Sequence, residues 1–292
     1  MTDRIQERYI NPYTDFGFKK LFGTEMNKEL LISFLNALLH DDVVITDISY
    51  LPTERFGAYG GRRAIFDVFC ETESGEKIIV EMQKTEQAYF KDRSVFYASF
   101  PIEQQGQVGS EWDFKLNSVY TVGILNFVFD EDKDDKEYFH HKVMLMDTTK
   151  HTVFYNKLTF IYLEMPKFNK TEDELETMFD KWLFVLKNLS RLLDRPAALQ
   201  ERVFDRLFKQ AEIARFTPKE RMEYEDSIKV YRDLKNSMDT SFVKGVTQGI
   251  AQGIAEEKVT IATKMLRLGA NIDFIMQATG LTKEEIEKLN PQ

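Results

Sequence analysis

The stretch IFDVFCETESGEKIIVEMQ, residues 65–83, constrains the fold more than any other. Two runs rich in β-branched and aromatic residues flank a short polar turn, the pattern of a β-hairpin. Each run holds one acid among apolar neighbours, Asp67 and Glu81. The turn decides whether they meet. With Glu73-Ser74-Gly75 as a three-residue loop, Gly75 takes the left-handed position that such loops end on. Thr72 then faces Glu76, and counting outward sets Asp67 opposite Glu81 on one face, with Gln83 two residues along on that face. A two-residue Ser74-Gly75 loop would put the acids on opposite faces instead. Opposed Cβ atoms lie about 4.5–5.5 Å apart, and like charges there repel. A proton on one acid, an intervening Arg or Lys, or a bridging divalent cation relieves that repulsion; Mg²⁺ is commonly held by one or two carboxylates. The plain alternative is an edge hairpin with both acids in water, paired to Arg62 or Arg63.

Around the hairpin the chain reads as an α/β core. Residues 1–12 look like a loose arm ending at the Asn11-Pro12 turn signal. Thr14 or Asp15 then caps a helix with Phe18, Leu21 and Phe22 at helical spacing. A second helix runs to about Leu39, and VVITDISYL (43–51) reads as a strand. A Gly-rich loop with Arg55, Arg62 and Arg63 leads into the hairpin. A helix over about 88–104 follows it, then the run VYTVGILNFVF (119–129), apolar on both faces like a central strand. Further strands are expected at 142–147 and 153–163, so the core (1–165) ends there. Residues 166–240 are helical in period, with no residue carrying an evident chemical role between 172 and 236.

Residues 241–292 form a third region. In KGVTQGIAQGIAEEK, Gly245, Gly249 and Gly253 recur every fourth residue, with Val246, Ile250 and Ile254 in step. On a helix they share roughly one face and permit close approach of a second helix. Each helical Gly costs about 1 kcal/mol relative to Ala, so a self-association helix and a flexible spacer both fit. The final short helices have a helix-turn-helix outline. Yet KEEIEKLN carries three glutamates against two lysines, poor for a phosphate-lined groove. Packing or homo-oligomerisation through residues 240–292 is the expectation there.

Composition narrows the function classes. A chain of 292 residues with 43% hydrophobic and 30% charged residues is ordinary for a globular protein. It shows neither a membrane-length apolar run nor a signal-like leader, so a cytoplasmic protein is expected. Cys70 and four scattered His residues lack zinc-type spacing, and no small-molecule cofactor is expected. The net charge of −9 means that contact with DNA needs a local basic patch.

An acid, a hairpin, then acid-x-Gln (Asp67, Glu81-Met82-Gln83) is similar to the PD-(D/E)XK nuclease signature. With NPYTDFGFKKLFG, NKELLISFLNALL and the helix YFKDRSVFYASFPIEQQ, residues 9–165 resemble the Rpn family of recombination-promoting nucleases and transposases. The glycine repeat and short terminal helices look like that family's tail. The resemblance implies a restriction-endonuclease-like core, with a central mixed sheet flanked by helices and an α-helical C-terminal region. It implies an enzyme: a divalent-metal-dependent DNA endonuclease with Mg²⁺ or Mn²⁺, associated with recombination. Asp67 and Glu81 would be metal ligands, joined by the Met82 carbonyl and, from the first helix, Asp15. Gln83 departs from the usual Lys and brings no positive charge; Lys19 is the substitute. Lys20, Arg62, Arg63, Arg93 and Tyr97 would contact DNA, Arg93 and Tyr97 sharing a helix face. The rival readings are a catalytically weak or inactive DNA- or protein-binding module that oligomerises through its C-terminal helices, and an interaction protein built on the glycine-repeat helix.

Overall fold

The computed structural model describes residues 7–55, 63–106 and 113–289. Two compact units divide the chain at Ile228/Lys229.

The first unit is built on a six-stranded mixed sheet. Its strands are β1 (Ile48–Tyr50), β4 (Val68–Thr72), β5 (Lys77–Gln83), β6 (Val119–Leu125), β7 (His140–Asp147) and β8 (Thr152–Glu164). They lie in the order β1-β4-β5-β6-β8-β7, with β5-β6 and β6-β8 parallel and the other pairs antiparallel. A separate two-stranded ribbon joins β2 (Glu54–Arg55) to β3 (Ala64–Ile65). Helix α3 (Phe90–Glu103) makes the crossover from β5 to β6 that a parallel pair requires. All seven residues of β6 are buried, as expected where helices cover both faces. On one face, α3 meets Phe66, Phe69, Ile79, Leu125, Phe160 and Tyr162. Other helices of this unit are α1 (Asp15–Phe22), α2 (Lys28–Leu38), α4 (Met178–Asn188) and α5 (Arg202–Ala211). They converge on Trp182, whose ring lies 5.7, 5.9 and 5.1 Å from those of Phe22, Phe34 and Phe204. Tyr50 Oη donates to the Phe22 carbonyl at 2.6 Å, joining α1 to β1.

Three expectations need correction. The arm is not loose where it is described: Tyr9 and Ile10 are buried, and Tyr9 forms a β-bridge with Glu212. The strand expected at 43–51 shortens to β1, because the Asn36 side chain bonds both the N–H and the carbonyl of Ile45 at 2.8 Å and holds that stretch on α2. The strand expected at 119–129 stops at Leu125. Beyond it Phe127 and Phe129 join the ring of Phe90, at 5.7 and 6.0 Å.

Helix α6 (Pro218–Arg267) runs through the boundary between the units. Its glycine-repeat segment is helical, which resolves the choice between helix and spacer. In the second unit the end of α6 meets α7 (Ile272–Thr279) and α8 (Lys283–Lys288) around Ala262, Ile275 and Ile286. Asn271 and Thr282 cap α7 and α8, and Gly280 at φ 70° ends α7.

Candidate active site

The hairpin has the three-residue turn. Gly75 stands at φ 94°, its N–H donates to the Thr72 carbonyl at 3.0 Å, and the Thr72 N–H donates to the Glu76 carbonyl at 3.0 Å. Val68 faces Val80 and Phe69 faces Ile79, so one further step sets Asp67 against Glu81. Antiparallel pairs alternate between bonded and non-bonded, which makes Phe66 and Met82 the next bonded pair. The ladder opens there instead. Phe66 turns its N–H to the Thr53 carbonyl, and the Met82 N–H is taken by Asp67 Oδ2 at 2.8 Å. In return the Asp67 N–H donates to Glu81 Oε1 at 3.2 Å. The two carboxylates are thus tied across the hairpin, Asp67 to the Met82 N–H and Glu81 to the Asp67 N–H. In an antiparallel pair a bonded residue directs its N–H and carbonyl to the same side, so the Met82 carbonyl lies on the β4 side of β5.

Gln83 is buried, and its Nε2 donates to Glu81 Oε2 at 2.9 Å. Its Oε1 accepts from the Arg93 guanidinium, which also bonds Gln87 and lies 5.7 and 5.8 Å from the rings of Phe90 and Tyr97. Tyr97 packs edge-on against Phe66 at 5.4 Å. Glu81, Gln83 and Arg93 therefore form one connected chain beneath α3.

The first helix supplies the opposite wall. Thr14, not Asp15, is its cap, accepting the Gly17 N–H at 3.0 Å. Asp15 is left to pair with Lys19 Nζ at 2.9 Å. Lys20 Nζ pairs with Glu220 and sits 4.9 Å from the Phe216 ring. Asp15, Lys19, Lys20 and Asp67 line one cleft of about 720 Å³, together with Glu220 and Glu223. Those two glutamates come from the region in which the sequence shows no chemical role; the Thr217-to-Glu220 capping pattern was a signal for Glu220 alone. Arg63 lies elsewhere, paired with Glu54 at 2.6 Å, and Arg62 falls outside the described residues.

Electrostatics set the hairpin acids apart. Burial, and then the neighbouring Asp67 carboxylate, push Glu81 up to about 8. Burial, and then the Asp15 charge, also raise Asp67, against the lowering effect of the Met82 N–H. The pair retains a proton at neutral pH unless a cation offsets it. Glu220 behaves oppositely, held near 2 by its hydrogen bond from Lys20.

The sequence profile of the PD-(D/E)XK nuclease family transposase matches residues 12–241. The chain belongs to this family. A second profile, the C-terminal HTH domain of the Rpn/YhgA-like nuclease family, matches residues 255–291, the three-helix outline of the second unit. Neither the curated proteins nor the solved structures show a significant match. Members of the family are nucleases that use divalent metals, and the mixed sheet flanked by helices is its restriction-endonuclease-like core. Among the described residues no helix is long and apolar enough to cross a membrane.

Proposed function

We propose that this family member is a divalent-metal-dependent DNA endonuclease acting in recombination, with its centre at Asp67 and Glu81. One observation carries the reading: two largely buried carboxylates are tied across the opened ladder, Asp67 to the Met82 N–H and Glu81 to the Asp67 N–H, and both are pushed toward protonation. An arrangement that costs stability in the empty protein becomes favourable when a cation is bound. The donor set is all oxygen, Asp67, Glu81 and the Met82 carbonyl, with Asp15 on the facing wall, which suits a hard ion such as Mg²⁺ or Mn²⁺. When bound, the ion supplies Lewis acidity toward a phosphate and lowers the pKa of an attacking water.

The remaining steps belong to the side chains. Gln83 fixes the rotamer of Glu81 and is itself fixed by Arg93. Lys19 replaces the missing lysine of the motif: its ammonium borders the cleft and offsets charge on the scissile phosphate, with Asp15 orienting it. Lys20 and the arginines before the hairpin, Arg62 and Arg63, guide the DNA backbone, as would Tyr97 from α3. The division of labour follows the chain: nuclease core at 1–165, helical support at 166–240, and a tail at 241–292 that contacts DNA or a second copy. Localisation in the cytoplasm completes this reading.

Plasmid nicking with Mn²⁺ or Mg²⁺ tests it. Nicking by the parent chain, abolished by EDTA and absent in Asp67→Ala, is expected. Salt-dependent DNA binding without nicking, in either metal, would favour the binding-module reading, to which Gln83 and the HTH match both lend support.

A further inference from the structure

A second group of metal-ligand side chains lies on the β8-β7 side of the same sheet, two strands from Gln83 along the row Gln83-Leu125-Glu164. Asp132 belongs to the 3₁₀ turn Asp130–Asp132 after β6, His141 to the start of β7, and Glu164 to the end of β8. One ligand atom from each lies within 4.8 Å of the other two. His141 Nε2 is 3.7 Å from Asp132 Oδ2 and 3.5 Å from Glu164 Oε2. Both separations are too long for a hydrogen bond, which spans about 2.7–3.2 Å. They are close to what an ion imposes: tetrahedral ligands at about 2.0–2.2 Å from Zn²⁺ stand roughly 3.3–3.6 Å from one another.

The nitrogen gives the independent observation. His141 is 9% exposed and its buried Nε2 has no hydrogen-bond partner, although it is aimed between two carboxylates. A buried polar atom left without a partner is costly. The ring is held in that orientation by edge contacts to Tyr138 at 4.6 Å and Phe129 at 5.7 Å. Glu164 is wholly buried. Its Oε1 accepts the Phe129 N–H at 2.6 Å, which leaves Oε2 as the ligand atom. That oxygen also faces Lys167 Nζ at 2.6 Å, a competing cation that donates in addition to the Tyr138 carbonyl at 3.0 Å.

We infer that Asp132, His141 and Glu164 form a second divalent-cation site, of one imidazole and two carboxylates, that takes a borderline ion of the Zn²⁺ class. It differs in chemistry from the all-oxygen hairpin centre and does not depend on the reading given to that centre. A bound ion would fasten the turn after β6 to β7 and β8, and Lys167 would weaken it by sharing the Glu164 oxygen.

The experiment uses the untagged full chain carrying Asp67→Ala and Glu81→Ala, so that ions bound at the hairpin do not contribute. Zn²⁺ binding is measured by equilibrium dialysis and Co²⁺ binding by visible absorption. One equivalent of Zn²⁺, with the intense Co²⁺ bands of a four-coordinate site, is expected. Affinity should fall at least tenfold in His141→Gln and in Asp132→Asn, and rise severalfold in Lys167→Met. Absence of stoichiometric binding, or binding unchanged by His141→Gln, overturns the inference. Should the ligand variants fail to fold, Lys167→Met decides: unchanged or weaker binding there also overturns it.

Discussion

A Cβ added to Gly17 would meet the Asn11 carbonyl at 2.2 Å, whereas one added to Gly249 would meet nothing within 4 Å. The contrast runs through the two units. Among the described residues of the first unit, Gly17 and Gly123 stand where neighbouring atoms leave little room for a side chain, and the rings of Phe22, Phe34 and Phe204 close around Trp182. Phe16 donates its N–H to Ser227 at 3.1 Å and Asn11 donates its N–H to Tyr224 Oη at 3.0 Å, so even distant segments are tied together. Among the described residues of the second unit the core lies at the three-helix end, and Val246, Ile250 and Ile254 on the glycine stretch are 45, 60 and 54% exposed. The first unit is determined by its own contacts. The glycine stretch shows a repeated pattern without the contacts that would explain it.

The sharpest test of this contrast is chemical. Asp67→Ala or Glu81→Ala should lower plasmid nicking by at least about 100-fold, consistent with loss of a group acting on the reacting centre, while Ile275→Ala in the second unit leaves the rate of the chemical step within a few-fold. Equal losses from both would show that the units are not functionally separable.

Packing comes next. Trp182→Ala removes a fully buried ring that also donates to Ser33 Oγ at 3.2 Å, and should destabilise the first unit by about 3–5 kcal/mol. Denaturant unfolding followed by aromatic fluorescence would measure it. A loss under about 1 kcal/mol would mean that the site collapses around the vacancy.

The third test uses pH in the metal-free protein. Glu81 ionises near 8 in the fold, against 4.5 as its ordinary value. Below about 4.5 both folded and unfolded states are protonated and nothing is lost. Between 4.5 and 8 the unfolded state releases a proton that the folded state keeps, so this contribution to stability declines as pH rises through that window. Glu81→Gln should flatten the decline, and Mn²⁺ should reverse it in the parent. An identical pH profile in parent and variant would remove the proposed tension at the hairpin.

The smallest effect bears on the stripe itself. Gly249→Ala should stabilise an unpartnered helix by up to about 1 kcal/mol, because the new methyl meets nothing and Ala is the better helix former. If a second copy packs closely on that face, the same change should weaken self-association instead, as sedimentation at several protein concentrations would show. The sign of the effect separates the two.

The hairpin register was legible because a turn is local: Gly75 sets the loop, and pairing follows by counting to Asp67 and Glu81. The helix of Asp15 and Lys19 was legible from its cap and its apolar spacing, although Thr14 rather than Asp15 does the capping. The glutamates of the cleft were not, since Glu220 meets Lys20 only after α6 is laid over α1. Nor was the part taken by Arg93, which sequence reading offered to a phosphate and the structure ties to Gln83 and Gln87.

The same division holds for the chain as a whole. By itself the sequence determined the hairpin, the helical periods and the glycine stripe, all local features, and narrowed the hairpin's two acids to two turn registers, of which the structure has the three-residue one. Only the tertiary structure brought Asp132, His141 and Glu164 together, because they sit on a turn and two strands whose adjacency is decided by sheet order. Spacing along the chain records local geometry; it does not record which strand will lie beside which, since that choice is made by burial of the whole sheet between its helices.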